Sequence, residues 1–103
     1  MDKELKEKWV TALRSGEYRQ TTGELKDEYG YCCLGVLCDI ANVKQDGGVF
    51  VDNAGFPLRG DGSSYGKFYP RFARLYSTRN TLMRMNDTGK SFEQIADWIE
   101  DNL

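Results

Sequence analysis

The sequence predicts an α+β fold: one small domain in which three to five short helices pack on a small antiparallel sheet or hairpin. Leu34, Leu37, Cys38 and Ala41 recur at i, i+3, i+4 and i+7, and so do Phe92, Ile95, Ala96 and Ile99. That is the period of a helix with one buried face. Between these runs, Val49 and Val51 alternate with Phe50 and Asp52, and Asp52-Asn-Ala-Gly55 carries turn chemistry, so Gly47–Leu58 is expected to form a hairpin. With 103 residues, 40% of them hydrophobic and 29% charged, the chain has mass for one modest core, and residues 1–103 are expected to form a single domain.

Taken in order, Asp2 caps a first helix to about Ser15, with Leu5, Trp9, Ala12 and Leu13 inward and Gly16 just past its end. Tyr18–Asp27 reads as one or two short strands flanking Gly23. A helix rich in cysteine follows from about Cys32 to Asn42, and then the hairpin. Residues Arg59 to Gly66 hold three glycines and two serines, which predicts a loop. Pro70 suits the first turn of a helix covering Phe72 to Tyr76. Ser77 or Thr78 caps another through Leu82, Met83 and Met85, and Asn86-Asp-Thr-Gly89 reads as a turn. Ser91-Phe-Glu-Gln94 is a capping box that opens the last helix.

Composition excludes several chemistries. The chain has no histidine, which removes the usual general base, the usual metal ligand and every Ser-His or Cys-His pair. The three cysteines, Cys32, Cys33 and Cys38, are odd in number and spaced CC-x4-C, which fits neither a disulfide framework nor a tetrahedral metal site. They are expected to pack as small hydrophobes in a reducing compartment. No metal and no cofactor is expected. No apolar run approaches the ~20 residues that span a bilayer, and the charged N-terminus lacks the apolar stretch of a signal peptide. Cytoplasmic residence is the expectation, with no membrane partner.

The net charge of −2 conceals an asymmetry. Arg59, Lys67, Arg71, Arg74, Arg79 and Arg84 face Asp61 alone between residues 59 and 84, whereas residues 85–103 hold Lys90 against five acids. Tyr65, Phe68, Tyr69, Phe72 and Tyr76 interleave with the bases. Aromatic faces stack on nucleobases and guanidinium groups bind phosphate bidentately, so this block suits a small phosphorylated ligand. The alternative is that Arg71 and Arg74 pair with acids of the last helix. Extended nucleic acid is disfavoured, because phosphate neutralisation asks for a basic face and a high pI, and this chain's is ≈ 5.1.

Trp9-Val-Thr-Ala-Leu-Arg-Ser-Gly-Glu-Tyr-Arg-Gln20, Tyr31-Cys-Cys-Leu-Gly-Val-Leu-Cys-Asp39 and Met85-Asn-Asp-Thr-Gly-Lys-Ser-Phe-Glu-Gln-Ile-Ala-Asp97 occur in that order. Through these blocks the chain resembles a group of small proteins found in bacteriophages and prophages. The group carries no settled activity, so the likeness implies context more than chemistry. Small phage proteins without enzymatic residues often act by stoichiometric binding, and one such class sequesters nucleotide-derived immune signals. By analogy the expected function is non-enzymatic capture of a nucleotide-like ligand in the host cytoplasm. The expected contacts are Arg71, Arg74, Arg19 and Arg84 for phosphate, Tyr18, Tyr31 or Tyr69 for stacking, and Asn86 and Asp87 for ribose or base edges. Gln20 joins Tyr18, Arg19, Asn86 and Asp87 as a polar group beside a turn, where ligand contacts collect. Two rivals stand beside this reading: a protein inhibitor docking through an exposed aromatic patch, and a small carboxylate-dependent hydrolase of nucleotide derivatives. A homo-oligomer is compatible with all three.

Overall fold

A computed structural model describes residues 2–58 and 78–103. The predicted loop from Arg59 to Gly66, the helix over Phe72 to Tyr76, and the candidate contacts Tyr69, Arg71 and Arg74 lie outside these residues. The described chain runs α1 (Lys3–Arg14), β1 (Lys26–Asp27), β2 (Gly30–Tyr31), α2 (Cys33–Ile40), β3 (Gln45–Asp46), β4 (Val49–Phe50), α3 (Arg79–Asp87) and α4 (Phe92–Asn102). Four helices and two antiparallel two-stranded hairpins make it a small α+β domain, as the periodicities predict.

Both outer helices obey local signals. The Asp2 carboxylate accepts a hydrogen bond from the Leu5 amide at 3.0 Å and so caps α1. Leu5, Trp9, Val10 and Leu13 form its buried stripe, with Ala12 at the margin. Past the C-cap residue Ser15, Gly16 takes φ +76°, the left-handed conformation that ends helices. Ser91 and Gln94 complete a reciprocal capping box on α4, whose Phe92, Ile95, Ala96 and Ile99 are all buried. α1 and α4 pack together, and the Arg14 guanidinium joins them, donating to Glu100 at 2.9 and 3.0 Å and to Asp97 at 2.5 Å. Two acids of the last helix are thus held by α1.

The cysteine helix corrects its own prediction. Periodicity implies one buried face, but every residue of α2 from Cys33 to Cys38 is buried. A helix apolar all round belongs in the centre of a domain, and α2 packs against α1, α3 and β2. Its closest neighbour explains Gly35: a Cβ there would stand 1.7 Å from the Leu25 carbonyl oxygen. The helix is also shorter than Cys32–Asn42, because Ala41 caps it and Asn42 turns to φ +58°.

The strands lie where pairing, rather than local pattern, puts them. β1 pairs with β2, with Lys26 opposite Tyr31, and a bridge from Gln20 to the same Tyr31 puts paired backbone on both sides of Gly23. The second hairpin turns at Gly47-Gly48, whose φ values of +60° and +81° suit the turn that follows the twist of two strands, and it sets Gln45 opposite Phe50. The predicted Asp52–Gly55 turn exists as well, one step further on. Asp52 accepts the Ala54 and Phe56 amides, each at 2.9 Å, and a bridge between Val51 and Pro57 closes it. Alternation breaks here, since Phe50 and Val51 are both buried while Val49 is exposed. The predicted Asn86–Gly89 turn is likewise shortened: α3 continues through Asp87 and the chain turns at Thr88-Gly89.

Candidate functional site

After Gly16 the chain doubles back so that Arg19–Thr21 runs extended beside β2. The Tyr31 amide donates to the Arg19 carbonyl and the Thr21 amide donates to the Tyr31 carbonyl, both at 2.8 Å. Gly30 permits this approach, because a Cβ there would lie 2.1 Å from the Arg19 oxygen. The pairing brings Tyr18 edge-to-face with Tyr31, centroids 5.0 Å apart and planes at 85°. Tyr31 stands 6.5 Å from Phe50 on the other hairpin. Arg19 is exposed, and both tyrosines are half-buried.

Tyr18 donates its hydroxyl proton to Asp39 on α2 at 2.5 Å. Partial burial pushes the phenol well above its ordinary pKa, and the Asp39 carboxylate adds to the shift. The ring is therefore a neutral, fixed wall. Lys26 completes the face, with its ammonium 5.3 Å from the Tyr31 centroid and 6.0 Å from that of Phe50. It is a residue that the charge blocks of the sequence missed, since it lies far from the basic stretch and reaches the rings only through strand register.

Asn86 forms the other half of the cluster. It is 1% exposed, and its amide makes four bonds. The oxygen accepts from Gln20 Nε2 at 2.9 Å and the Cys33 amide at 3.2 Å; the nitrogen donates to the Thr21 carbonyl at 2.8 Å and to Asp87 at 3.3 Å. Gln20 also donates to the Lys90 carbonyl at 2.8 Å, and Asp87 accepts the Gly23 amide at 3.3 Å. A side-chain amide has two acceptor sites and two donors, so the capacity of Asn86 is filled within the protein. Its evident work is to tie the 20–23 segment to α2 and α3. Of the candidate contacts, Tyr18, Arg19, Gln20, Tyr31, Asn86 and Asp87 form one linked cluster, and Arg84 is exposed on α3.

The thiols are packing groups. Cys33 is the hub: its carbonyl accepts the Trp9 indole N–H at 2.9 Å and its sulfur bonds the Leu82 carbonyl at 3.6 Å. Cys32 caps α2, its sulfur accepting the Gly35 amide at 3.4 Å, a cap that residue preferences do not suggest. Burial raises all three pKa values, that of Cys32 to about 11, so the thiols are neutral at pH 7. Among the described residues no group of His, Cys, Asp or Glu is placed to hold a metal, and no helix is long and apolar enough to cross a membrane.

Among the described residues, two large grooves flank α1. One, of about 720 Å³, is lined by Lys3, Lys6, Val10, Arg14 and Glu100; the other, of about 670 Å³, reaches Tyr18 past Glu4, Glu7, Glu17 and Ile40. Glu4, Glu7 and Glu17 argue against an anionic guest in the second groove, whereas Lys3, Lys6 and Arg14 outnumber Glu7 and Glu100 in the first.

The profile of a family described as a domain of unknown function (DUF8296) matches residues 1–57, more than half of the 103-residue chain. The chain belongs to this family. The DUF8296 segment contains α1, both hairpins and α2, hence Tyr18, Arg19, Lys26 and Tyr31, while Asn86 and Asp87 lie beyond it. No curated protein and no solved structure matches the chain.

Proposed function

We propose that this DUF8296 protein is a non-enzymatic binding protein of phage type that sequesters a small nucleotide-derived ligand, at the face built from Tyr18, Arg19 and Tyr31. The observation that carries the reading is convergence. Residues from separate stretches of the sequence meet so that two half-buried rings stand together on a scaffold fixed by Asn86, with Arg19 exposed on the segment whose backbone pairs with Tyr31. Rings offer a stacking surface and guanidinium a phosphate fork, the pair of contacts that a nucleotide requires. The fixed backbone lowers the ordering cost of binding. On this reading Arg71, Arg74 and Arg84 supply further phosphate contacts, Tyr69 is an alternative stacking ring, and the host cytoplasm is the site of action.

A thermal-shift screen against cyclic dinucleotides, ADP-ribose variants and mononucleotides tests the proposal. A ligand at 100 times its Kd stabilises by about 2.7 kcal/mol, which raises Tm by roughly 10 °C in a domain of this size. Denaturing the complex is expected to return the ligand unchanged. Recovery of a converted product would move the protein to the hydrolase reading, and a screen without a single stabilising probe would end the proposal.

A second reading, docking on a host enzyme, rests on Tyr29 and Phe56, which are 65% and 58% exposed on turns. Asp27 holds the first turn through the Tyr29 and Gly30 amides, and Asp52 holds the second through the Ala54 and Phe56 amides. Aromatic residues on rigid turns bind at little entropic cost. Capture of a defined host protein that carries no small molecule, lost in Tyr29→Ser and Phe56→Ser, would favour it.

A further inference from the structure

Lys26 is the cation that the fold delivers to the centre of the candidate face. Strand register places it opposite Tyr31, its ammonium lies over the Tyr31 and Phe50 rings, and it donates to Gln45 Oε1 at 2.8 Å. That acceptor is a neutral amide, and among the described residues no carboxylate forms an ion pair with Lys26. Tyr18 already stands against the same Tyr31 ring. The Tyr31 ring is therefore approached by both Lys26 and Tyr18.

We propose that Lys26 is a parked cation: it rests over Tyr31 and swings to the phosphate of an incoming guest, which opens the ring to the guest's base. This rests on the capture of a phosphorylated ligand proposed above, and it adds both a binding residue and a rule of selection. Moving the ammonium forfeits its attraction to two rings and its bond to Gln45. An uncharged nucleoside supplies nothing to offset that loss, so it meets a covered ring. A phosphate offers a charge-assisted hydrogen bond and draws the ammonium away as the base arrives. The site thus selects guests that carry an anion and a ring together. Four rotatable bonds let a lysine make this movement without disturbing β1.

Calorimetric titration with ADP-ribose, cyclic di-AMP and phosphate-free adenosine tests this, using the full chain and its Lys26→Met and Lys26→Arg variants. The unmodified protein is expected to bind a phosphorylated probe and to ignore adenosine. Lys26→Met should weaken the phosphorylated probe at least about tenfold, the scale of one lost charge-assisted contact, while gaining affinity for adenosine. Lys26→Arg should keep the discrimination. If Lys26→Met binds the phosphorylated probe as tightly as the unmodified protein, the parked cation is overturned and ligand capture stands. If no phosphorylated probe binds the unmodified protein, both fall. A readout without substitution guards against a variant that fails to fold: ring currents should shift the Lys26 methylene proton resonances upfield, and the saturating probe should return them to ordinary positions. Resonances that stay in place on binding would overturn the movement.

Discussion

Cys33 and Tyr31 are two residues apart and belong to opposite kinds of structure. Around Cys33, α1, α2 and α3 meet, and the indole of Trp9, the amide of Asn86 and the carbonyl of Leu82 all bond to it. Around Tyr31 the backbone is equally well paired, but the side chains are left half-open, with Arg19 exposed and Lys26 held by no carboxylate. The difference separates polar residues that build from polar residues able to bind. Asn86 and Arg19 look alike in sequence, each a polar residue beside a turn. Only burial and bond count distinguish them.

The sharpest way to break the contrast is to disturb the closed side. Gly35→Ala would drive a methyl to 1.7 Å from the backbone oxygen of Leu25, and neither partner is a flexible side chain. The helix must move away from the strand segment. Overpacking of a core typically costs 1–3 kcal/mol, and a backbone clash should exceed that, so a loss above about 3 kcal/mol is expected in urea unfolding followed by circular dichroism. A loss below about 1 kcal/mol would mean that α2 is not pinned at Leu25.

Next in size is Asn86→Ala. It strands the Cys33 amide and the Thr21 carbonyl and leaves Gln20 Nε2 with the Lys90 carbonyl alone, and a buried group left unsatisfied costs roughly 1–3 kcal/mol. About 3 kcal/mol is expected in the same measurement. If Asn86 were a ligand contact with no structural duty, the variant would keep its stability and lose only binding.

How far these features were legible depends on the distance over which they are determined. The caps of α1 and α4 and the stripe Phe92, Ile95, Ala96 and Ile99 are local, and the sequence displays them directly. The hairpin was harder because two turn sequences compete within ten residues. Gly47-Gly48 wins the first turn once β3 and β4 pair and Phe50 is drawn beneath Lys26. Asn86-Asp87 reads as a turn by propensity, yet α3 runs through it because three bonds to residues outside α3 reward a helical Asn86. Gly35, Gly30 and Lys26 were invisible, since each matters through a residue that pairing alone brings near. The basic-aromatic stretch, which dominates any reading of charge, lies mostly outside the described residues.

Smaller effects test the surface frame that supports both regions. Ser91→Ala removes one half of the α4 capping box and should cost about 1 kcal/mol, with Gln94 left bonding the Ser91 amide position alone. Since α4 touches neither cysteine helix nor Tyr31 face through that cap, ligand binding should be unchanged. A variant that lost affinity at constant fold would show that the site reaches further than the cluster.

The mildest change is acid. The Asp27 carboxylate accepts the Tyr29 and Gly30 amides and the Thr21 hydroxyl, and the Tyr29 amide is the largest cause holding its pKa below the ordinary 3.8. A carboxyl that binds its proton less readily when folded adds stability above the unfolded pKa, and loses it as pH falls through the lower folded value. Glu100, held below its ordinary 4.5 by Arg14, acts in the same direction at the α1–α4 seam. Unfolding midpoints measured between pH 6 and pH 2 should therefore be flat at first and decline below about pH 4. Asp27→Asn should remove part of that decline and loosen the turn that presents Tyr29, whereas Arg14→Ala should remove the part owed to Glu100 and leave Tyr29 untouched. If the two substitutions instead flattened the same portion of the curve, the hairpin face and the helical seam would be one cooperative unit, and the division between a closed core and an open face would not describe how this protein responds to protons.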